Sequence, residues 1–253
     1  MKKLLKGLVV IAALVIAALV VLFIVYNEPR PTGKQGPAAD DLAMKMIVSV
    51  NGEAWEKTGA VSWTFRNPHY HVWDKDRHLA QVQWENHDVL IDINNRKGVI
   101  LTDTNGMSTL DKAELCETAW KFWVNDSFWL NPVTKVFDPG TNRSIVEMES
   151  GEVGLMVTYS SGGATPGDSY LWILDQNYRP IKWKFWVSAY PLGGISFTWD
   201  DWIETETGAL ISTKHEGVIS IPIADVKTAN NLSELTNTDV FKPLTDSNEL
   251  ISF

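Results

Sequence analysis

The stretch that decides the fold is YLWILDQNYRPIKWKFWVSAYPLGGISFTW, residues 170–199. It contains three runs in which apolar side chains recur at every second position. A turn at residues 176–180 separates the first two runs, and Gly193-Gly194 precedes the third. A period of two, interrupted by short turns, is typical of antiparallel strands with one buried face. The alternating positions are Tyr170, Trp172 and Leu174; Ile181, Trp183, Phe185 and Val187; and Ile195, Phe197 and Trp199.

The same period extends outward from this stretch through most of the chain. No βαβ rhythm, internal repeat or low-complexity tract interrupts it. The sequence therefore predicts a mainly β (α+β) domain with about ten or eleven short antiparallel strands. The other strand candidates cover residues 61–65, 70–73, 79–84, 89–93, 99–102, 144–149, 153–159 and 210–221.

One helical segment divides the strands. Ser108 and Asp111 have the spacing of a capping box at its start, and Asn131-Pro132 ends it. A sheet that curls around this aromatic-rich helix encloses a hydrophobic interior. The apolar face repeats every three to four residues through Ala113, Cys116, Trp120 and Trp123.

The N-terminus has a different pattern. Gly7 to Tyr26 is an uncharged run of 20 residues behind three lysines, long enough to cross a bilayer core of about 30 Å. The lysines favour a cytoplasmic N-terminus. A cleaved signal peptide is the alternative, but it needs a small-x-small site. The prediction is one transmembrane helix, residues 1–26, in a bacterial inner membrane, with Leu8, Ile16, Phe23 and Tyr26 among its membrane contacts.

Residues 27–38 are rich in proline and glycine, which favours an extended, semi-rigid spacer. Twelve such residues reach about 40 Å. A short helix should follow, from Asp40 to Asn51-Gly52. The predicted organisation is an anchor at residues 1–26, a linker at 27–38 and a periplasmic β domain at 39–253.

The charge of the exported part excludes one class of partner. Removing Lys2, Lys3 and Lys6 from the 22 Lys and Arg leaves 19 against 31 Asp and Glu, a net charge of about −12. A domain this acidic does not bind nucleic acid through bulk charge. The single cysteine, Cys116, allows no intrachain disulfide.

Two stretches resemble a known family. Residues 54–66 (AWEKTGAVSWTFR) and 191–202 (PLGGISFTWDDW), with the order of elements, are similar to the bacterial lipoprotein-localisation-factor superfamily, which includes domains of unknown function. The resemblance covers roughly residues 40–225. It implies a curved antiparallel half-barrel closed by short helices, whose hollow carries lipids or acyl chains. The anchor and the lack of a lipidation cysteine depart from that pattern.

The 12 tryptophans suggest either core packing or binding of an apolar ligand. The leading prediction is a non-enzymatic protein without a cofactor. It either holds a lipid or acyl chain in the hollow or is an accessory subunit of an envelope membrane complex. In the first interpretation, the hollow is lined by Trp63, Phe65, Trp120, Trp123, Trp172, Trp183 and Phe185.

Hydrolase chemistry is the alternative. His69 and His71 lie on one face of a strand, a spacing that can present two imidazoles to one metal ion. His78, His87 or His215 could supply a third ligand. The other interpretation is a pair of half-exposed strand histidines.

Two further sets of residues have competing interpretations. Cys116 is either a nucleophile or, between Ala113 and Trp120, a small buried apolar residue. The acidic residues near Trp199 suggest a glycan-processing site or solvated strand ends. Residues 160–168 lack the following helix that a phosphate cradle needs and indicate a flexible connection. The acidic set is Asp200, Asp201, Glu204 and Glu206.

Overall fold

The computed structural model describes residues 2–66, 68–148, 151, 153–161 and 166–253. Its helices are short apart from the first and the fourth. A 3₁₀ helix, Pro132–Lys135, follows the fourth directly. The helices are α1 (Lys2–Tyr26), α2 (Pro37–Ser49), α3 (Gly52–Lys57), α4 (Thr109–Leu130), α5 (Leu232–Thr236) and α6 (Lys242–Thr245).

The strands form two antiparallel sheets, and neither closes into a barrel. Sheet I has the order β1-β7-β8-β9-β10-β11, and sheet II has the order β12-β13-β14-β2-β3-β4-β5-β6-β15. The strands are β1 (Lys34–Gln35), β2 (Ala60–Phe65), β3 (His69–Asp74), β4 (Leu79–Trp84), β5 (His87–Asp92), β6 (Lys97–Ile100), β7 (Thr141–Glu147), β8 (Val153–Tyr159), β9 (Ser169–Leu174), β10 (Pro180–Trp186), β11 (Ile195–Thr198), β12 (Asp200–Glu204), β13 (Leu210–Glu216), β14 (Ser220–Ala229) and β15 (Ile251–Ser252).

The antiparallel, mainly β prediction is confirmed, but the single half-barrel of 10–11 strands is wrong. The described strands belong to two sheets, because the chain changes sheet at Trp199, between β11 and β12. Strands that pass from one sheet to another are a known way to make the corner of a packed pair. The strands β1 and β15 have two residues each, too few to show an alternating pattern.

The main core lies between the two sheets. Alternate residues of β2 and β3 face alternate residues of β8, β9 and β10 across it. The opposite face of sheet II is covered by α5 and α6. Leu232 of α5, Leu244 of α6 and Phe241, which immediately precedes α6, pack on Leu79 and Leu90. The middle strands of sheet II are therefore buried on both faces, which explains why β2 and β4 have no exposed residue, whereas β12 is mostly exposed.

Helix α4 begins where the capping box predicts. Ser108 Oγ accepts a hydrogen bond from the Asp111 amide, and the Asp111 carboxylate accepts one from the Ser108 amide. The first half of α4 packs Cys116 and Ala119 on β4 and β5. Its last turn brings Leu130 into the core between the sheets. The helix thus connects the far end of sheet II with the main core.

The segment of residues 27–35, here called the strap, lies across the outer face of sheet I. The Glu28 amide donates to the Gly193 carbonyl at 3.1 Å. Arg30 Nη1 donates to Ser169 Oγ on β9 at 3.0 Å. The end of the strap is β1, which pairs with β7. Residues 27–33 have no regular structure, but polar groups of the strap have partners on sheet I; that residues 27–38 act as a linker stays a prediction.

Helix α1 ends at the strap, where the Asn27 amide donates to the Phe23 carbonyl at 2.9 Å. The four predicted membrane contacts, Leu8, Ile16, Phe23 and Tyr26, are exposed on it. Among the described residues, no helix combines the length and apolar character needed to cross a membrane. The predicted transmembrane anchor is therefore unsupported by the structure.

Candidate functional site

The space between the sheets is lined by tryptophans from sheet I and the corner that follows it. Trp172 on β9 and Trp183 on β10 are paired in register. Together with Trp199 they form a triangle whose ring centroids are 5.0, 5.1 and 5.0 Å apart. All three side chains are buried. We call the interior around this triangle, including Trp63 and Phe185, the aromatic interior.

The last two turns of α4 close one side of the aromatic interior. The Trp129 ring lies 4.9 Å from Trp183, and the Phe128 ring lies 5.1 Å from Tyr170. His215 on β13 contacts Trp199 with a ring distance of 4.2 Å. Burial lowers the pKa of His215 to about 4, although its hydrogen bond to the Thr198 carbonyl opposes this. The imidazole is therefore neutral at physiological pH.

Polar atoms in this interior lack partners. Indole N–H groups usually find an acceptor when they are buried. Here the indole nitrogens of six buried or partly buried tryptophans have no hydrogen-bond acceptor among the described residues. Nε2 of His215 has no partner there either; it is the accepting nitrogen of the neutral ring, because Nδ1 donates to the Thr198 carbonyl. A buried donor without an acceptor costs about 1–3 kcal/mol. The six are Trp63, Trp73, Trp123, Trp172, Trp183 and Trp199.

The structure brings together most of the residues predicted to line a hollow. Trp63, Phe65, Trp172, Trp183 and Phe185 share the main core, where their rings contact one another and their neighbours. That a ligand enters among them stays a prediction.

The other two predicted hollow residues lie away from the triangle. Trp123 packs at the edge of the main core, 5.3 Å from the ring of Trp73. Trp120, on α4, belongs to the cluster in which that helix packs on β4 and β5. The Arg96 guanidinium lies 3.8 Å from the centroid of its ring. Two surface depressions lie away from the aromatic interior. One, of about 290 Å³, is lined by residues within 27–30 and 186–193. The other, of about 370 Å³, is lined by residues within 41–49 and 177–178.

A second polar group lies where α4 crosses β3. His69 Nδ1 and His71 Nε2 are each 2.8 Å from Oδ2 of Asp126. The alternation of β3 directs both imidazoles to the same face, and α4 supplies the carboxylate. We call these three residues the histidine–aspartate cluster.

The histidine–aspartate cluster is largely buried, with side-chain exposures of 21 % for His69, 0 % for His71 and 1 % for Asp126. Burial lowers the pKa of His71 more strongly than Asp126 raises it. Burial also raises the pKa of Asp126, but the hydrogen bonds from His69 and His71 bring it below its usual value. A carboxylate therefore lies between two imidazoles, of which His71 is neutral.

The interpretation of the two strand histidines as half-exposed is wrong for His71, because its ring stacks on Trp63 at 4.5 Å inside the core. The residue that joins the pair is Asp126, and not His78, His87 or His215. Asp126 was not predicted from the sequence. The pattern that could have indicated it is a carboxylate on the buried face of α4, seven residues after Ala119 and four before Leu130.

The structure does not bring the remaining residues that the sequence suggested, Cys116 and the acidic set at 200–206, into a common site. Cys116 is fully buried among apolar side chains, as the interpretation of a small buried apolar residue predicts, and burial raises the pKa of its thiol to about 11. The acidic residues Asp200, Asp201, Glu204 and Glu206 are all exposed. Glu206 accepts hydrogen bonds from Thr228, and Asp200 accepts one from Thr198. The predicted flexible connection at residues 160–168 falls partly on residues 162–165, which lie outside the described part of the chain.

No protein-family model matches the chain, and no curated protein matches it. Among solved structures, a DUF1329 family protein from Desulfovibrio piger aligns with a TM-score of 0.40 and 9 % identity, over 81 % of this chain and 98 % of that one. A domain from Vibrio parahaemolyticus, provisionally described as an outer membrane lipoprotein-sorting protein, aligns with a TM-score of 0.34 and 11 % identity, over the same shares. TM-scores and identities this low establish neither a shared family nor a shared activity.

Proposed function

We propose that the protein is a non-enzymatic component of a bacterial envelope that binds an amphipathic ligand between its two sheets. The ligand class is an acyl chain or lipid that carries ester, amide or phosphate oxygens. The observation that supports this proposal is the set of buried indole N–H groups without acceptors on the walls of the aromatic interior. Each oxygen that accepts from one of them removes a penalty of about 1–3 kcal/mol.

The apolar part of such a ligand would gain from the same walls. Burial of apolar surface contributes about 25 cal/mol per Å², and Trp172, Trp183 and Phe185 provide aromatic faces. These rings touch one another in the structure, so binding requires them to move apart. Neither sheet closes on itself, so each has free edges. The two sheets can move apart at these edges to admit the ligand.

The proposal includes attachment to the membrane by the N-terminal segment. It rests on the sequence alone: Gly7 to Tyr26 is uncharged, and three lysines precede it. We expect the full chain to stay in the membrane fraction after an alkaline carbonate wash, and a chain that lacks residues 2–26 to be released. A mature N-terminus near Asn27 in the cell would contradict attachment.

The ligand is tested by native mass spectrometry of the full chain purified in mild detergent, followed by lipid extraction. The informative variant is Trp172→Phe/Trp183→Phe, which keeps two aromatic rings and removes two unpaired donors. The matched control is Trp186→Phe on the opposite face of β10, where the indole N–H already donates to the Glu28 carbonyl.

The wild type and the control should carry the same bound species, and the double variant should lose at least tenfold in occupancy. Equal occupancy in the double variant would contradict the proposal. A reproducible protein partner with no small ligand in the wild type would also contradict it and would favour the accessory-subunit alternative.

A further inference from the structure

We infer that His69, His71 and Asp126 form a binding site for one first-row transition-metal ion of the Zn²⁺ class. The site is separate from the ligand proposed above, and either can exist without the other. Two imidazole nitrogens and one carboxylate oxygen are the donors, and all three atoms lie within 4.8 Å of one another.

The site needs the three donor atoms to rearrange around the ion. A tetrahedral zinc ion has ligand distances of about 2.0–2.2 Å, so its donor atoms lie about 3.3 Å apart. Both imidazole nitrogens are now 2.8 Å from Asp126 Oδ2, so each would move away from that oxygen by about 0.5 Å. The two nitrogens now lie within 4.8 Å of each other and would have to come to about 3.3 Å. The donors come from a strand and from the C-terminal part of a long helix, which hold them in place.

The charge around Asp126 points to a cation. Its side chain is 1 % exposed, and a buried charge is costly unless it is paired or bound to a metal ion. The partners that the structure gives it, in the described part of the chain, are His69, His71 and Asn125. None of the three has a permanent positive charge. A divalent cation would neutralise the carboxylate while both imidazoles coordinate in their neutral form.

The surroundings hold the ligands in orientation. Asn125 Nδ2 donates to the second carboxylate oxygen of Asp126 at 2.8 Å. The Phe122 ring lies 4.0 Å from that of His69, and the Trp63 ring stacks on His71. Such outer contacts fix the ligands and raise affinity. Nδ1 of His71 has no partner among the described residues, so we expect an affinity about 10–100-fold below that of a site with a complete outer shell.

The donor set also selects the metal. Calcium and magnesium prefer oxygen ligands, whereas two imidazoles and a carboxylate suit zinc, cobalt or iron. Three protein ligands leave one coordination position open. His69 is the most exposed member of the cluster, so an external group can reach the metal from its side.

The competing interpretation is a hydrogen-bonded group that only ties α4 to β3. The two are separated by Zn²⁺ titration of the full chain in detergent after removal of metal with a chelator, followed by isothermal calorimetry. The wild type should bind one equivalent. His69→Gln should weaken binding at least tenfold, and His78→Ala, a histidine in an exposed turn, should have no effect.

A second readout keeps the test valid if a buried variant folds poorly. Co²⁺ bound to the wild type should give the intense visible absorption of a tetrahedral site with nitrogen and oxygen ligands. His69→Gln, whose side chain is partly exposed, should lose that absorption while it keeps the wild-type circular dichroism. No Zn²⁺ binding by the wild type would overturn the proposal, and so would equal binding by wild type and His69→Gln.

Discussion

Trp183 and Trp186 lie three residues apart on β10 and point to opposite faces of sheet I. Trp186 is on the outer face, where its indole N–H donates to the Glu28 carbonyl of the strap at 2.7 Å. Beside it, the Lys184 ammonium contacts the Glu28 carboxylate at 2.6 Å. Trp183 is on the inner face, fully buried, and its indole N–H has no acceptor among the described residues.

The chain supplies a hydrogen-bond acceptor for the tryptophan on the outer face of this sheet. Among the described residues it supplies none for the tryptophan on the inner face. On the outer face, a segment without regular structure supplies the acceptor that Trp186 needs. On the inner face, aromatic side chains provide contact area, but no described residue accepts a hydrogen bond from the Trp183 indole N–H. A buried polar atom without a partner is uncommon in a folded protein, and the group of such atoms among the described residues of this face is the observation behind the ligand proposed above.

The largest expected effect comes from removing the inner ring. Trp183→Ala should lower the free energy of unfolding by about 3–5 kcal/mol, because it leaves a cavity in the core. Trp186→Ala, at a half-buried position with one hydrogen bond, should cost about 1–2 kcal/mol. Urea denaturation of both variants measures the comparison. Equal losses would show that the two faces are packed to the same extent.

The buried imidazole of His215, which contacts Trp199 from β13, should make the free energy of unfolding sensitive to acid. The pKa of His215 falls from 6.5 to about 4 on folding, so the unfolded state binds more protons between these values. The stabilising contribution is complete above pH 6.5 and is lost as the pH falls towards 4, by about 3 kcal/mol.

His215→Gln tests this contribution, because the variant lacks the titrating imidazole. Its free energy of unfolding should fall less between pH 7 and 4.5 than that of the wild type. His78→Ala, in an exposed turn, should follow the wild-type pH dependence. Parallel curves for wild type and His215→Gln would contradict the assignment of a buried, neutral imidazole.

The outer face can be weakened separately at Gly33. A Cβ atom there would meet the Ser144 side chain and would lie 2.8 Å from the Ile145 carbonyl oxygen. Gly33→Ala should therefore cost about 1–3 kcal/mol and loosen the strap. Amide hydrogen exchange should become faster in the paired strands β1 and β7. It should stay unchanged in the paired strands β9 and β10. Unchanged exchange at β1 would mean that the strap tolerates a side chain there.

The smallest effect is the most specific. Trp186→Phe removes a hydrogen bond that is made and should cost about 0.5–1.5 kcal/mol. Trp183→Phe removes a donor without an acceptor, and the gain of about 1–3 kcal/mol offsets the smaller ring. Its free energy of unfolding should stay within about 1 kcal/mol of the wild type. A loss of more than about twice that value would show that the Trp183 N–H has an acceptor after all.

Local patterns predicted the individual elements of the fold. The period of two in β9, β10 and β11 and the capping box of α4 involve residues close in sequence, so the sequence contains their whole signal. Helix α3 was missed, because six residues from Gly52 to Lys57 are too few for a helical period to appear. The division into two sheets was missed because it depends on the direction that the chain takes after Trp199.

The histidine–aspartate cluster shows the same limit. The spacing of His69 and His71 predicted two imidazoles on one face, and the structure has them there. Asp126 lies 55 residues from His71, and no local pattern relates a carboxylate on α4 to a position on β3. Only its place on the buried face of the helix distinguishes it from a solvated aspartate.

The strap also determines the order in which the molecule can assemble. Arg30 donates a hydrogen bond to Ser169, and the Gly193 amide donates one to Asn27 Oδ1; these bonds span 139 and 166 residues. Contacts between residues so far apart form late, because the loop between them must close first. The segment that leaves the ribosome early must therefore wait until residue 193 has been made. Until then Trp186 lacks its acceptor, and the outer face of sheet I is open to chaperones, proteases and other unfolded chains.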